Sequence, residues 1–167
     1  DGIRDYKVTG VQTCALPILI DDIKALRDET GVSIGKCKEA LEEAGGDMDK
    51  AREILRSFSE KAAAKKADRD LGAGMIVSYV HSNGQIGALV ELNCETDFVA
   101  KNEDFIALAN DIALHITAMM PETKEELLEQ PFVKNPEVTI EGHIKEGIQK
   151  LGERIELGAF SRLSVLG

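Results

Sequence analysis

Tryptophan is absent from this 167-residue chain, and aromatic residues make up only 4% of it. No platform of rings on which nucleic-acid bases could stack is written into such a sequence. Positive charge is scarce as well. Twenty Lys and Arg face 30 Asp and Glu, a net charge of −10. Phosphate-backbone binding needs clustered Lys and Arg, so direct nucleic-acid binding is not expected, whereas a basic protein surface remains a suitable partner. Cys14, Cys37 and Cys94 lie too far apart for a metal motif or a disulfide framework, which fits a reducing, cytoplasmic setting. No apolar run approaches the ~20 residues of a membrane-spanning helix. Walker-type glycine loops and the dinucleotide fingerprint are missing too, so the chain is expected to hold no nucleotide or other cofactor by itself.

What is present suffices for one medium domain or two small ones: 43% of the residues are hydrophobic. Residues 1–18, DGIRDYKVTGVQTCALPI, have no helical or strand period and lead into no cap. VTGVQTCALPI is similar to the in-frame translation of a common sequencing adapter, so this leader is expected to be an artefact without function.

Residues 19–58 read as three short helices. Ile20, Ile23 and Leu26 share one face, and Gly31 ends the first helix. Ser33 can cap a second helix with Ile34, Cys37, Leu41 and Ala44, and Gly45-Gly46 breaks it. Asp47 can cap a third, with Met48, Ala51, Ile54 and Leu55 inward. The bundle resembles a ubiquitin-associated domain, and Val32 beside Gly31 is expected as an exposed tip. Residues 59–74, rich in Ala and Lys, read as a solvated helix or semi-rigid tether. Its Lys61, Lys65, Lys66 and Arg69 form the one locally basic stretch.

Residues 75–167 read as an α+β domain, an antiparallel sheet packed with helices. Met75–His81 and Gln85–Asn93 flank Asn83-Gly84, which predicts a hairpin with a type I′ turn. Phe105, Leu108, Ala109, Ile112, Ile116 and Met119 keep helical spacing from Asn102 to Met120, with Pro121 as the stop. His115 falls off that stripe and is expected at the surface or rim. Glu125–Glu129 reads as a short helix, PFVKNP as an irregular loop, and Thr139 as the cap of a helix reaching Leu151. Ile155–Leu166 reads as a closing strand.

No catalytic constellation emerges. Cys94 has no His partner nearby in sequence, and His81 has no nucleophile beside it. Glu91, Glu95 and Asp97 alternate as a solvated acidic face would, with too few oxygen ligands for a Mg²⁺ or Ca²⁺ cage. The informative stretch is Ile86–Phe105, IGALVELNCETDFVAKNEDF. An apolar strand breaks at Thr96 and leaves an acid–aromatic pair, Asp97-Phe98, at its end, with Asn102 as a cap for the next helix. Full burial of a Phe is worth about 1.5–3 kcal/mol, so Phe98 either folds into its own core or is kept for a partner.

NCETDFVAKNEDF resembles the signature of the elongation factor Ts family. TGVSIGKCKEALEEAGGDMDKAREIL is similar to the family's second signature, and LGERIELGAF to the end of its core. Together they cover nearly all of residues 19–167. The resemblance implies a guanine-nucleotide exchange factor with no chemical active site of its own, acting on GDP-bound elongation factor Tu. It implies that Thr96, Asp97, Phe98 and Val99 form the intruding segment. Phe98 wedges between helices of the partner's nucleotide domain, and Asp97 disturbs the surroundings of its Mg²⁺. Gly31, Val32, Ser33, Ile34 and Gly35 are implied to touch the same domain. The core motif occurs once, which resembles the family's short form and implies a homodimer. Leu157-Gly158-Ala159 departs from the family pattern, where Arg is common. The competing reading is an adaptor: a helical interaction module tethered to an α+β domain, without exchange activity.

Overall fold

The structure, a computed structural model, describes residues 18–165; the leader through Pro17 lies outside the described residues. Two hydrophobic cores organise it, one within the N-terminal helices and one between the sheet and the helices that cover it.

Helix α1 (Ile20–Thr30) ends at Gly31, whose N–H makes the last helical bond, to the Arg27 carbonyl, and whose φ of 65° turns the chain away from the helix. Helix α2 (Ile34–Glu43) begins just beyond this turn, and Gly45-Gly46, both at positive φ, turn the chain into α3 (Met48–Lys66). The Asp47 side chain caps α3 by accepting from the Asp49 and Lys50 amides at 3.0 and 3.2 Å. Ser33 stands at the start of α2 without a side-chain capping bond. Leu26, Val32, Cys37, Ala40, Leu41, Ala51 and Leu55 fill the core of this module.

The third helix does not stop at Phe58. It continues to Lys66, so the first half of the expected tether is helix, and that half is docked rather than solvated. Ser59 is buried and donates to the Gln149 side chain, Arg56 lies 3.5 Å from Glu137, and Lys66 Nζ donates to the Ile148 carbonyl. The Ala-rich half carries no long apolar stripe, but its Ala63 packs against the main core.

The second core is built on a three-stranded antiparallel sheet of β1 (Ala73–Val80), β2 (Ile86–Cys94) and β5 (Ile155–Ser164), with β2 in the centre. The turn between β1 and β2 differs from the expected type I′. Gly84 is at positive φ but Asn83 is not. The Asn83 side chain instead accepts from the Gln85 amide at 3.0 Å, and the Gly84 N–H closes back on the His81 carbonyl. A side chain that satisfies the backbone locally removes the need for a left-handed Asn.

One sheet face carries Val77, Ala88, Val90, Leu92, Cys94, Ile155 and Leu157 and is covered by α5 (Glu103–Met119) through Phe105, Leu108, Ala109, Ile112 and Ile116. Met120, before Pro121, takes the left-handed conformation that ends α5. Then come α6 (Lys124–Glu129), a small hairpin of β3 (Pro131–Phe132) and β4 (Asn135–Thr139), and α7 (Ile140–Leu151). PFVKNP, expected as an irregular loop, thus pairs as two short strands, because Phe132 is an anchor and not a loop residue: it is buried in the main core. That layer also changes the place of His115, which is 0% exposed. Its ring is covered by the β3–β4 hairpin, a second neighbour that widens the buried face of α5 beyond the stripe facing the sheet. No helix among the described residues is long and apolar enough to cross a membrane.

Candidate functional site

The sheet's central strand ends at Cys94, and the chain leaves it through Glu95 and Thr96 into a single helical turn, α4 (Asp97–Ala100). Alternation along β2 sends Cys94 inward, and the turn then separates its four side chains. Val99 and Ala100 are buried beneath it, while Asp97 and Phe98 face out. Phe98 is 82% exposed, so it does not fold into its own core. It lines a shallow surface hollow with Lys101, Asn102, Glu103 and Asp104.

The turn is held from both sides. Thr96 Oγ1 accepts from the Val99 amide at 3.4 Å, and Asn102 Oδ1 accepts from the Asp104 amide at 2.8 Å, which starts α5. Glu153, just past the end of α7, accepts from both Thr96 N–H at 3.0 Å and Thr96 Oγ1 at 2.6 Å. Glu95 accepts from the Arg154 amide at 2.6 Å and pairs with Arg69 at 3.3 Å. The Arg154 amide, then Arg69, hold the Glu95 carboxyl below its usual range.

The three acids that alternate in sequence therefore have three separate surroundings. Glu91 lies over Gly158, accepts from the Ala159 amide at 3.0 Å and from Asn93, and these bonds lower its pKa. The strand register shifts at this point, so Gly158 and Ala159 form a bulge opposite Glu91. A Cβ on Gly158 would fall 2.5 Å from the Glu91 carboxyl carbon, so a larger residue there would push the Glu91 side chain off this seat. Asp97 is exposed in the first turn of α4. Among the described residues no group of three or more His, Cys, Asp or Glu is arranged to hold a metal ion. Cys94 is buried and donates to the Thr96 carbonyl; burial, then the negative Glu153, raise its thiol pKa, the opposite of what a nucleophile needs.

Of the N-terminal residues singled out in sequence, Ile34 is 56% exposed and Gly35 faces open space. Val32, expected as an exposed tip, is only 7% exposed and belongs to the module core, because the tight exit from α1 at Gly31 turns it inward. Lys150 bridges this turn to the core. Its side chain lies over the Gly31 backbone, and its Nζ donates to Asp104 Oδ1 at 2.8 Å. Sequence reasoning missed Lys150 and met Glu153 only as part of LGERIELGAF, without a role, since long-range partners leave no local signal. A cleft of about 370 Å³ between module and core runs beside this bridge, lined among others by Gly31, Arg52, Asp104, His143 and Lys150. The Gly31 turn and the Phe98 turn thus border the same stretch of surface, joined through Asp104.

Comparison with known proteins gives a consistent result. The family described as Elongation factor TS matches residues 95–166, which begin at the Glu95–Val99 turn. Elongation factor Ts of Fervidobacterium nodosum is 40% identical, over 86% of this chain and 95% of that protein. The protein of the same name from Desulforamulus reducens is 41% identical, over 84% of this chain and 85% of its own length. The one from Thermosipho melanesiensis is 40% identical, over 86% and 96% respectively.

Proposed function

Because the chain belongs to the elongation factor Ts family, a family of translation elongation factors, we propose that it acts in the cytoplasm as a guanine-nucleotide exchange factor. It binds GDP-bound elongation factor Tu and speeds GDP release without a chemical step of its own.

The observation that carries this reading is Phe98, a large apolar side chain left in water on a turn whose backbone is fixed on both flanks. Interface energy concentrates in a few such anchors. Asp97 stands beside it with its carboxylate outward. The mechanism is linkage: a protein that weakens GDP on its partner is itself bound less tightly when GDP is present. GDP in such a site is held partly through Mg²⁺, the largest local charge. Phe98 inserted between helices of the partner displaces the elements around that ion, and the charge of Asp97 competes for its surroundings. Ile34 and Gly35 give a second contact on the same partner domain.

We also propose that two copies pair through the outer sheet face. Register places Val80, Gly87 and Leu163 in one row and Ser78, Leu89 and Ser161 in the next. With Ile76 beside them, this face carries exposed Ile76, Val80, Leu89 and Leu163. A twofold axis through this face sets the same apolar patch of each copy against the other.

Mixing the protein with elongation factor Tu carrying fluorescent GDP tests the reading. Release should accelerate in proportion to added protein. A release rate equal to that of the partner alone, with the protein folded and in excess, would overturn it.

A further inference from the structure

The end of β2 and the exit from α7 are locked together by an exchange of backbone amides. Thr96 gives its N–H to the Glu153 carboxylate, and Arg154 gives its N–H to the Glu95 carboxylate. Each of two adjacent residues on one segment thus meets an adjacent pair on the other, one donor and one acceptor apiece. Gly152, at φ 80°, is the left-handed residue that ends α7 and delivers Glu153 to this place.

Glu153 makes a second bond with a directional consequence. Thr96 Oγ1 donates its one proton to Glu153 at 2.6 Å. The lone pairs of that oxygen are then turned toward the Val99 amide, from which it accepts. A hydroxyl that donates to a carboxylate becomes a better acceptor. The relay runs from Glu153 through Thr96 to Val99 and spans both sides of Phe98. With Val99 pinned inward and Thr96 pinned to Glu153, the residues between them have one way to face.

We propose that Glu153 is a positioning residue for exchange: it presets the α4 turn so that Phe98 stands outward before any partner arrives. This rests on the exchange reading above and adds to it a residue 57 positions from Thr96 in sequence, acting through the turn it holds. Without it, the turn keeps its own backbone bonds to the Thr96 and Asp97 carbonyls but loses the anchor on Thr96, and a looser turn that must settle upon binding slows productive encounter.

The test is a double-mutant cycle on GDP release from elongation factor Tu, with Glu153→Ala and Phe98→Ala alone and together. Folding of each variant is checked by circular dichroism at the assay temperature. If Glu153 acts through Phe98, Glu153→Ala lowers the second-order rate of release by about tenfold in the parent and by less than about twofold in the Phe98→Ala background. Glu153→Gln, which keeps the shape but presents an NH₂ to one of the two donors, should fall in between. In the free protein, amide hydrogen exchange at Thr96 and Val99 should speed up in Glu153→Ala. An equal loss in both backgrounds would show a merely structural role and sink the proposal, as would a parent-like rate in both Glu153 variants. A parent protein that fails to release GDP would instead remove the exchange reading itself, and the amide exchange result would still report on the relay.

Discussion

Two residues on α4 divide the work that the exchange reading demands, and they are separable by substitution. Phe98 contributes little to folding, since its ring is in solvent, so Phe98→Ala should melt near the parent while losing the ~1.5–3 kcal/mol that full burial in a partner would give. That is roughly ten- to hundredfold in complex stability, read by titration against elongation factor Tu. Asp97→Ala should bind nearly as well and release GDP more slowly. A second pair of residues gives opposite responses to pH. His143 lies 3.5 Å from Asp111 on α5 and 3.7 Å from Glu146 on its own helix, with its ring stacked on Phe132 and with Lys134 on the far side of Asp111. Burial alone would lower its pKa, but the two carboxylates outweigh it and raise it to about 9. Its stabilising contribution is therefore complete below the ordinary value of 6.5 and is lost as pH rises through 9. Burial lowers the pKa of His115, whose Nδ1 accepts from Val133 and whose Nε2 faces Gln130 Oε1 at 3.0 Å. Its contribution is lost as pH falls below 6.5. Urea titrations of His143→Gln should show a flatter stability profile between pH 6.5 and 9 than the parent. An unchanged slope there would contradict the charge assignment.

At the level of elements, the end of α5 offers a direct check on backbone strain. Met120 is the one non-glycine residue at positive φ among the described residues, it is exposed, and Pro121 prevents the helix from continuing. A left-handed non-glycine residue costs about 1–2 kcal/mol, so Met120→Gly should stabilise by up to about 1 kcal/mol after the extra entropy of glycine. In a domain of this size the melting temperature should rise by about 2–4 °C per kcal/mol. Helix ends of this kind were readable in the sequence because proline, glycine and capping side chains act over three or four residues. Asn102, Thr139, Asp47 and Gly31 all mark the boundaries the chain adopts. The period of α5 likewise announced the face that covers the sheet, except at Met119, which the helix end leaves 44% exposed. Burial imposed by partners distant in the chain was not readable. His115 and Phe132 needed each other's elements to be placed, the second half of α3 needed α7, and Val32 needed the exit angle at Gly31. The candidate site divides in the same way: Asp97-Phe98 stood out as an odd pair at a strand end, whereas Glu153 and Lys150, which hold the surrounding turns, became visible only in three dimensions.

For the molecule as a whole, the outer sheet face makes the oligomeric state the first quantity to measure. Sedimentation should show a dimer for the parent, and the pair Leu89→Lys with Leu163→Lys should sediment as a monomer that keeps its helical and sheet content. A parent that is monomeric at tens of micromolar would remove the pairing proposed for that face. The course of α3 bears on the two contact regions in another way. Nineteen helical residues carry the module directly onto α7, where Ser59 and Lys66 fasten it. For a partner already held at Phe98, the Ile34 turn is then not a second ligand that must search through the volume swept by a flexible chain. It is present at an effective concentration set by a helix, far above what a loose connection of the same length would supply. On the exchange reading proposed above, two contacts so joined act as one avid surface, and loosening the Ser59–Gln149 joint would weaken the whole by multiplication without removing a single contacting atom.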